Sequence, residues 1–161
     1  RHNLPVLLHS NITSKRERNP LYLEELQEAL REHPKVKIIW AHAGTSKTLH
    51  RYQGKMDFLL PTVKALLAEH DNLYIDLSWT VLQPYLLDDK KQPDPQWLAL
   101  VNAYPKRFLI GSDALGSYDS IGEKLEDFTP FLDALPRDIA NGLAGENFLS
   151  LLPDPVRLTD D

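Results

Sequence analysis

Apolar residues along this chain gather in short runs, separated by longer stretches where they recur every third or fourth position. The runs at residues 4–9, 36–41, 73–77 and 107–111 are rich in aliphatic and β-branched side chains and read as strands of a parallel sheet. After the first run, Leu23, Leu26, Ala29 and Leu30 share one helical face. Asn19-Pro20 offers that helix an N-cap followed by proline at its first position. His33-Pro34 ends it, because the residue before proline is pushed out of the helical region.

The second run leads through Gly44 into a stretch read as a polar loop, holding Lys47, His50 and Arg51. A helix over 57–70 follows, with Leu59, Val63, Leu66 and Leu67 apolar and Pro61 early enough to be tolerated. The third run enters a loop with Trp79, and Asp94-Pro95 opens a helix over 95–103. After the fourth run the pattern predicts helices near 121–134 and 137–151, broken at Pro130 and Pro136.

Strand then helix, four times over at about 35–40 residues per unit, is the pattern of a parallel α/β sheet. An eight-unit barrel needs about 250 residues, so the 161 residues here make about half of one. An open doubly wound sheet is the other geometry. Its glycine-rich phosphate turn is missing, since Ser10-Asn11-Ile12-Thr13 follows the first strand.

Composition narrows the function. With 42% hydrophobic and 25% charged residues the chain is an ordinary soluble globular mixture, one domain or a large part of one. A net charge of −5 and the lack of a basic run argue against a nucleic-acid partner. No cysteine is present, so thiolate metal sites, disulfides and cysteine nucleophiles are excluded. No stretch has the length of a membrane span, and the compartment is not readable. Arg1-His2-Asn3 runs directly into a strand, which leads us to expect a preceding segment.

Three of the strand runs end in a metal-competent side chain: His9, His42 and Asp113. In parallel α/β folds, chemistry gathers at the C-terminal ends of strands. The three are therefore expected to converge, and their donor types suit a divalent transition metal. The bland readings are a histidine bonded to a loop carbonyl and an aspartate capping a helix. Asp113 is the strongest candidate, because a carboxylate after Phe108-Leu109-Ile110-Gly111 is costly to bury without a cation. For His42, ligand and acid–base roles stay open.

Other residues weigh less. Asp76, between Ile75 and Leu77, reads as structural. Ser78 and Trp79 are placed to line a substrate pocket, and Arg51 leads Lys47 and His50 as a holder of a substrate carboxylate. His33 and His70 sit at helix C-termini, where a cation is favourable, and Asn147 reads as a loop tether.

Taken in order, Pro5-Val-Leu-Leu-His9, Lys37-Ile-Ile-Trp-Ala-His-Ala-Gly44, Asn72-Leu-Tyr-Ile-Asp-Leu-Ser-Trp79, Arg107-Phe-Leu-Ile-Gly-Ser-Asp-Ala114 and Gly145-Glu-Asn-Phe-Leu-Ser-Leu-Leu152 resemble the last four βα units of the amidohydrolase superfamily. The branch they resemble is the amidohydrolase-related family that includes aminocarboxymuconate-semialdehyde decarboxylase. The resemblance implies the C-terminal half, strands five to eight, of a metal-dependent (β/α)8 TIM barrel. It implies that His9 is a metal ligand and that His42, in a His-x-Gly turn with Gly44, binds a second metal or polarises water or substrate. It implies that Asp113, after Ser112, ligates the metal and shuttles a proton. The implied cofactor is a divalent metal ion, zinc first, and the implied activity is hydrolysis of a small carboxylated or cyclic substrate by metal-activated water.

Decarboxylation with the same site is the alternative chemistry. The family's His-x-His pair occurs nowhere in this sequence. A non-catalytic half-barrel is therefore a third reading, and the expected partner is a missing N-terminal barrel half or a second copy.

Overall fold

The computed structural model describes residues 4–114, 116 and 118–153. Arg1-His2-Asn3, on which the expectation of a preceding segment rested, lies outside them. Four short strands, β1 (Val6–Leu8), β2 (Ile38–Trp40), β3 (Leu73–Asp76) and β4 (Phe108–Leu109), form one parallel sheet in sequence order. Such a sheet, with helical crossovers between successive neighbours, matches part of a TIM barrel. β1 and β4 are its two edges.

The helices are α1 (Leu23–Glu32), α2 (Lys47–Gln53), α3 (Leu59–Glu69), α4 (Pro95–Ala103), α5 (Ile121–Glu126), α6 (Thr129–Asp133), α7 (Arg137–Asn141) and α8 (Asn147–Leu151). Asp94 caps α4 as expected, its carboxylate accepting from the N–H groups of Gln96 and Trp97 at 2.9 and 3.2 Å. His33 and His70 stand at the C-caps of α1 and α3.

Three expectations need correction. α1 starts at Leu23 rather than at Asn19-Pro20. The N–H groups of Leu21 and Tyr22 both donate to the Ile12 carbonyl, which ties them to the loop after β1 and delays the helix. Residues 47–53 form a helix, not a loop. Ser46 accepts from the Leu49 N–H at its start, Leu49 is buried, and Gly54 with φ 66° ends it. Pro130 lies in the first turn of α6 and starts that helix instead of breaking a longer one.

Strand alternation divides the sheet into two faces. Ile38, Trp40, Leu73, Ile75, Leu77 and Phe108 point to the helices and join Leu26, Leu30, Leu66 and Trp97 in one buried cluster. On the opposite face Ile39 and Leu109, with partly buried Tyr74, join Leu151 of α8 in a small second cluster. Asn147 fixes α8 there: its buried side-chain amide donates to the carbonyls of Pro105 and Phe108, both at 2.9 Å. The tether role read from sequence is the one this geometry gives.

Candidate active site at the strand ends

The second face opens into a cavity of about 590 Å³, and the residues at its strand-end side are polar: His9, His42, Asp76, Ser78 and Asp113. Alternation explains most of this set. His9 follows Leu7 by two residues, Asp76 and Ser78 continue the Tyr74 side of β3, and Asp113 lies four beyond Leu109. His42 is the exception. Counting from Ile39 and Ala41, it should point to the helices.

A left-handed turn reverses it. His42 and Ala43 have φ 55° and 48°, and Gly44 has φ 73°. Asp76 pins the turn, its Oδ2 accepting the His42 N–H at 3.1 Å. The Thr45 N–H and hydroxyl both donate to the His42 carbonyl, at 2.9 and 2.8 Å. Gly44 is obligatory here, since a Cβ on it would lie 2.1 Å from the Trp40 ring. Trp79 and Asp113 also carry left-handed backbone, φ 56° and 46°. Each such residue costs about 1–3 kcal/mol, and strain of this kind concentrates at functional sites.

His42 is the hub. Its Nδ1 lies 2.8 Å from Ser78 Oγ and 3.3 Å from Asp76 Oδ2, and its Nε2 lies 3.8 Å from Asp113 Oδ1. The His9 ring meets it edge-on at 5.5 Å between centroids, and the Trp79 ring does so at 5.3 Å. The His42 side chain is 7% exposed and that of Asp113 is 25% exposed. Burial alone would lower the imidazole pKa. The hydrogen bond and charge of Asp76, the charge of Asp113 and the Ser78 contact outweigh it and raise the pKa above its ordinary value.

His9, His42 and Asp113 thus line one cavity, with the His9 ring and Asp113 each beside the His42 ring. Two other candidates stand outside this cavity's lining. Arg51 is exposed in the last turn of α2 and is not among the residues lining the cavity. Trp79 is 41% exposed; it lines a smaller adjoining pocket with Gly111, Ser112 and Lys124, and its ring meets that of His42 edge-on. Asp76, read as structural, belongs to the site. The signal was in the sequence, for Asp76 and Ser78 alternate with Leu73, Ile75 and Leu77, which are all fully buried on the helix side.

Imidazole, imidazole and carboxylate are suitable chemistry for a divalent ion. Yet among the described residues no three histidine, aspartate or glutamate side chains stand close enough to share one. His9, His42 and Asp113 do not make a complete metal centre by themselves.

A family model described as amidohydrolase matches residues 1–151. The chain belongs to the amidohydrolase family. No curated protein and no solved structure matches it. For an amidohydrolase, membership points to hydrolase or decarboxylase chemistry at the strand ends, where the His42 cluster lies. No helix among the described residues is long and apolar enough to cross a membrane.

Proposed function

We propose that this amidohydrolase chain is the C-terminal half, strands five to eight, of a (β/α)8 barrel of the aminocarboxymuconate-semialdehyde decarboxylase-like branch, and that it hydrolyses a small cyclic substrate. The observation that carries this reading is His42, buried at a strand end between Asp76 and Asp113 on a cavity of small-molecule size. Asp113 takes a proton from the attacking water, whose oxygen bonds to the substrate carbonyl carbon. His42, with its Nε2 lone pair facing the cavity, accepts a hydrogen bond from the other hydrogen of that water and orients it for attack. The bond to the leaving nitrogen or oxygen then breaks, and the leaving atom takes the proton from Asp113.

The described lining contains no lysine or arginine. This favours a cyclic, weakly charged substrate over a carboxylated one. A divalent ion, zinc first, belongs to the proposal as cofactor, with His9 and Asp113 among its ligands and the rest supplied from outside the described residues. The half-barrel placement rests on the two sheet edges, each paired on one side only, and on Leu4 and Leu7, which are 56% and 66% exposed beside the open face. Another set of barrel strands is the partner that would cover them.

The test is turnover of a panel of lactones, cyclic amides and cyclic imides by the full-length protein, with carbon dioxide followed in the same reactions. Ring-opened products from wild type, lost in His42→Gln and Asp113→Asn, support the reading. Carbon dioxide without ring opening would assign decarboxylation, and equal turnover in both variants would overturn the site.

A further inference from the structure

The hydrogen bonds around His42 leave little freedom for its ring. Ser78 Oγ lies 2.5 Å from Asp76 Oδ2 and 2.8 Å from His42 Nδ1. A hydroxyl has one hydrogen, and a carboxylate can only accept. The Ser78 hydrogen therefore goes to Asp76, and the Ser78 oxygen meets Nδ1 with a lone pair. Asp76 Oδ2 itself, 3.3 Å from Nδ1, offers a second acceptor. Both neighbours of Nδ1 require a hydrogen on that nitrogen.

Asp76 is in turn held by backbone. Its Oδ2 accepts the His42 N–H and its Oδ1 the Ser78 N–H, both at 3.1 Å. Gly111 on β4's exit keeps the space open, since a Cβ there would stand 3.3 Å from Asp76 Oδ1 and 3.6 Å from Ser78 Cβ.

We propose that Asp76 and Ser78 are positioning residues that lock neutral His42 in its Nδ1–H tautomer, so that the Nε2 lone pair faces Asp113 and the cavity. The inference deepens the functional reading above and rests on it only for its kinetic consequence. The chain runs Nδ1–H to Ser78 Oγ, then Ser78 O–H to Asp76 Oδ2. It delivers an unprotonated Nε2 at the strand ends, the form able to take a proton or bind a cation. Free imidazole side chains favour the opposite tautomer, so the lock has a directly visible signature.

The experiment is two-bond ¹H–¹⁵N correlation NMR of protein labelled with ¹⁵N-histidine, at a pH where the ring is neutral. His42→Gln assigns the resonance. Wild type should show Nδ1–H. Ser78→Ala should move the population towards Nε2–H, and Ser78→Thr, which keeps the hydroxyl, should restore it. Asp76→Asn should also release the lock; if that variant fails to fold, the serine pair decides alone.

Ser78→Ala should lower kcat roughly 10- to 100-fold with KM little changed, as loss of an outer orienting partner does, and Ser78→Thr should recover most of it. Nε2–H as the main form in wild type, or a tautomer unmoved by Ser78→Ala, would overturn the lock. A tautomer that shifts while His42→Gln keeps full turnover would leave the lock standing and sink the functional reading instead.

Discussion

The two faces of the sheet are built from the same kinds of residue and end in opposite conditions. On the helix side, Trp40, Leu73, Ile75 and Phe108 are at most 1% exposed. On the other side, Ile39 and Leu109 join only a small cluster with Tyr74 and Leu151 among the described residues, while Leu7 stands 66% exposed. Burying an aliphatic or aromatic side chain contributes about 1.5–3 kcal/mol. The helix side therefore carries the stability, and the open side holds the polar strand-end cluster beside exposed apolar surface. The strained turns at His42, Trp79 and Asp113 all lie at strand ends. Their cost is carried by the packing behind them.

The largest expected effect falls on the open side. His42→Ala or Asp113→Ala in the full-length enzyme should lower kcat by roughly 10²–10⁴ if each acts as acid or base, with an unchanged circular-dichroism spectrum. Turnover near wild type in either variant would remove that residue from the chemistry. The metal sharpens the same contrast. After dialysis, the 161-residue chain should retain zinc well below one equivalent by elemental analysis, because its described donors do not group in threes. A full, tightly held equivalent would show that the site closes without further ligands.

The helix side should respond to truncation instead. Leu66→Ala, at a residue 2% exposed in the main cluster, should cost about 2–5 kcal/mol in urea unfolding, the range for a buried leucine. A loss of only a few tenths would mean that the cluster is not the stabilising core.

A smaller effect should appear with pH. Against the lowering effect of burial, the hydrogen bond and charge of Asp76 chiefly raise the pKa of His42 above its ordinary value in the folded chain. Protonation thus favours folding: the contribution is full below the unfolded value and is lost as pH rises through the folded one. The stability gap between wild type and His42→Gln should be wider at acid pH than at alkaline pH; a gap that widens upward would contradict the raised value.

The smallest effect belongs to Leu7→Ser. At this exposed position the change in stability should stay within about 0.5 kcal/mol, and in the isolated chain it should reduce self-association seen by light scattering. A stability loss like that of Leu66→Ala would erase the distinction between the faces.

Much of this was legible from particular residues. Leu26 and Leu30 at helical spacing, and Leu59, Val63, Leu66 and Leu67 after them, gave two helices whose buried positions are those same residues, with Leu23 partly buried beside them. Asp94-Pro95 gave a helix start to the residue. The start of α1 was misplaced because its competitor, the Ile12 carbonyl accepting from Leu21 and Tyr22, lies well upstream in the chain. The helix over 47–53 was missed because a buried Leu49 and a capping Ser46 made a helix of a stretch that composition alone reads as polar loop.

Periodicity by itself determined the parallel strands, their order of appearance and the side of the sheet on which His9, Asp76, Ser78 and Asp113 fall, because alternation along a strand is local geometry. It could not place His42, whose position in the alternation points the wrong way. Only the tertiary structure turned that ring into the cavity. The turn needs Asp76 from the next strand to hold its N–H, and Gly44 to clear the Trp40 ring. Contacts between segments 34 residues apart leave no periodic trace in a sequence, and they decide where a buried imidazole points.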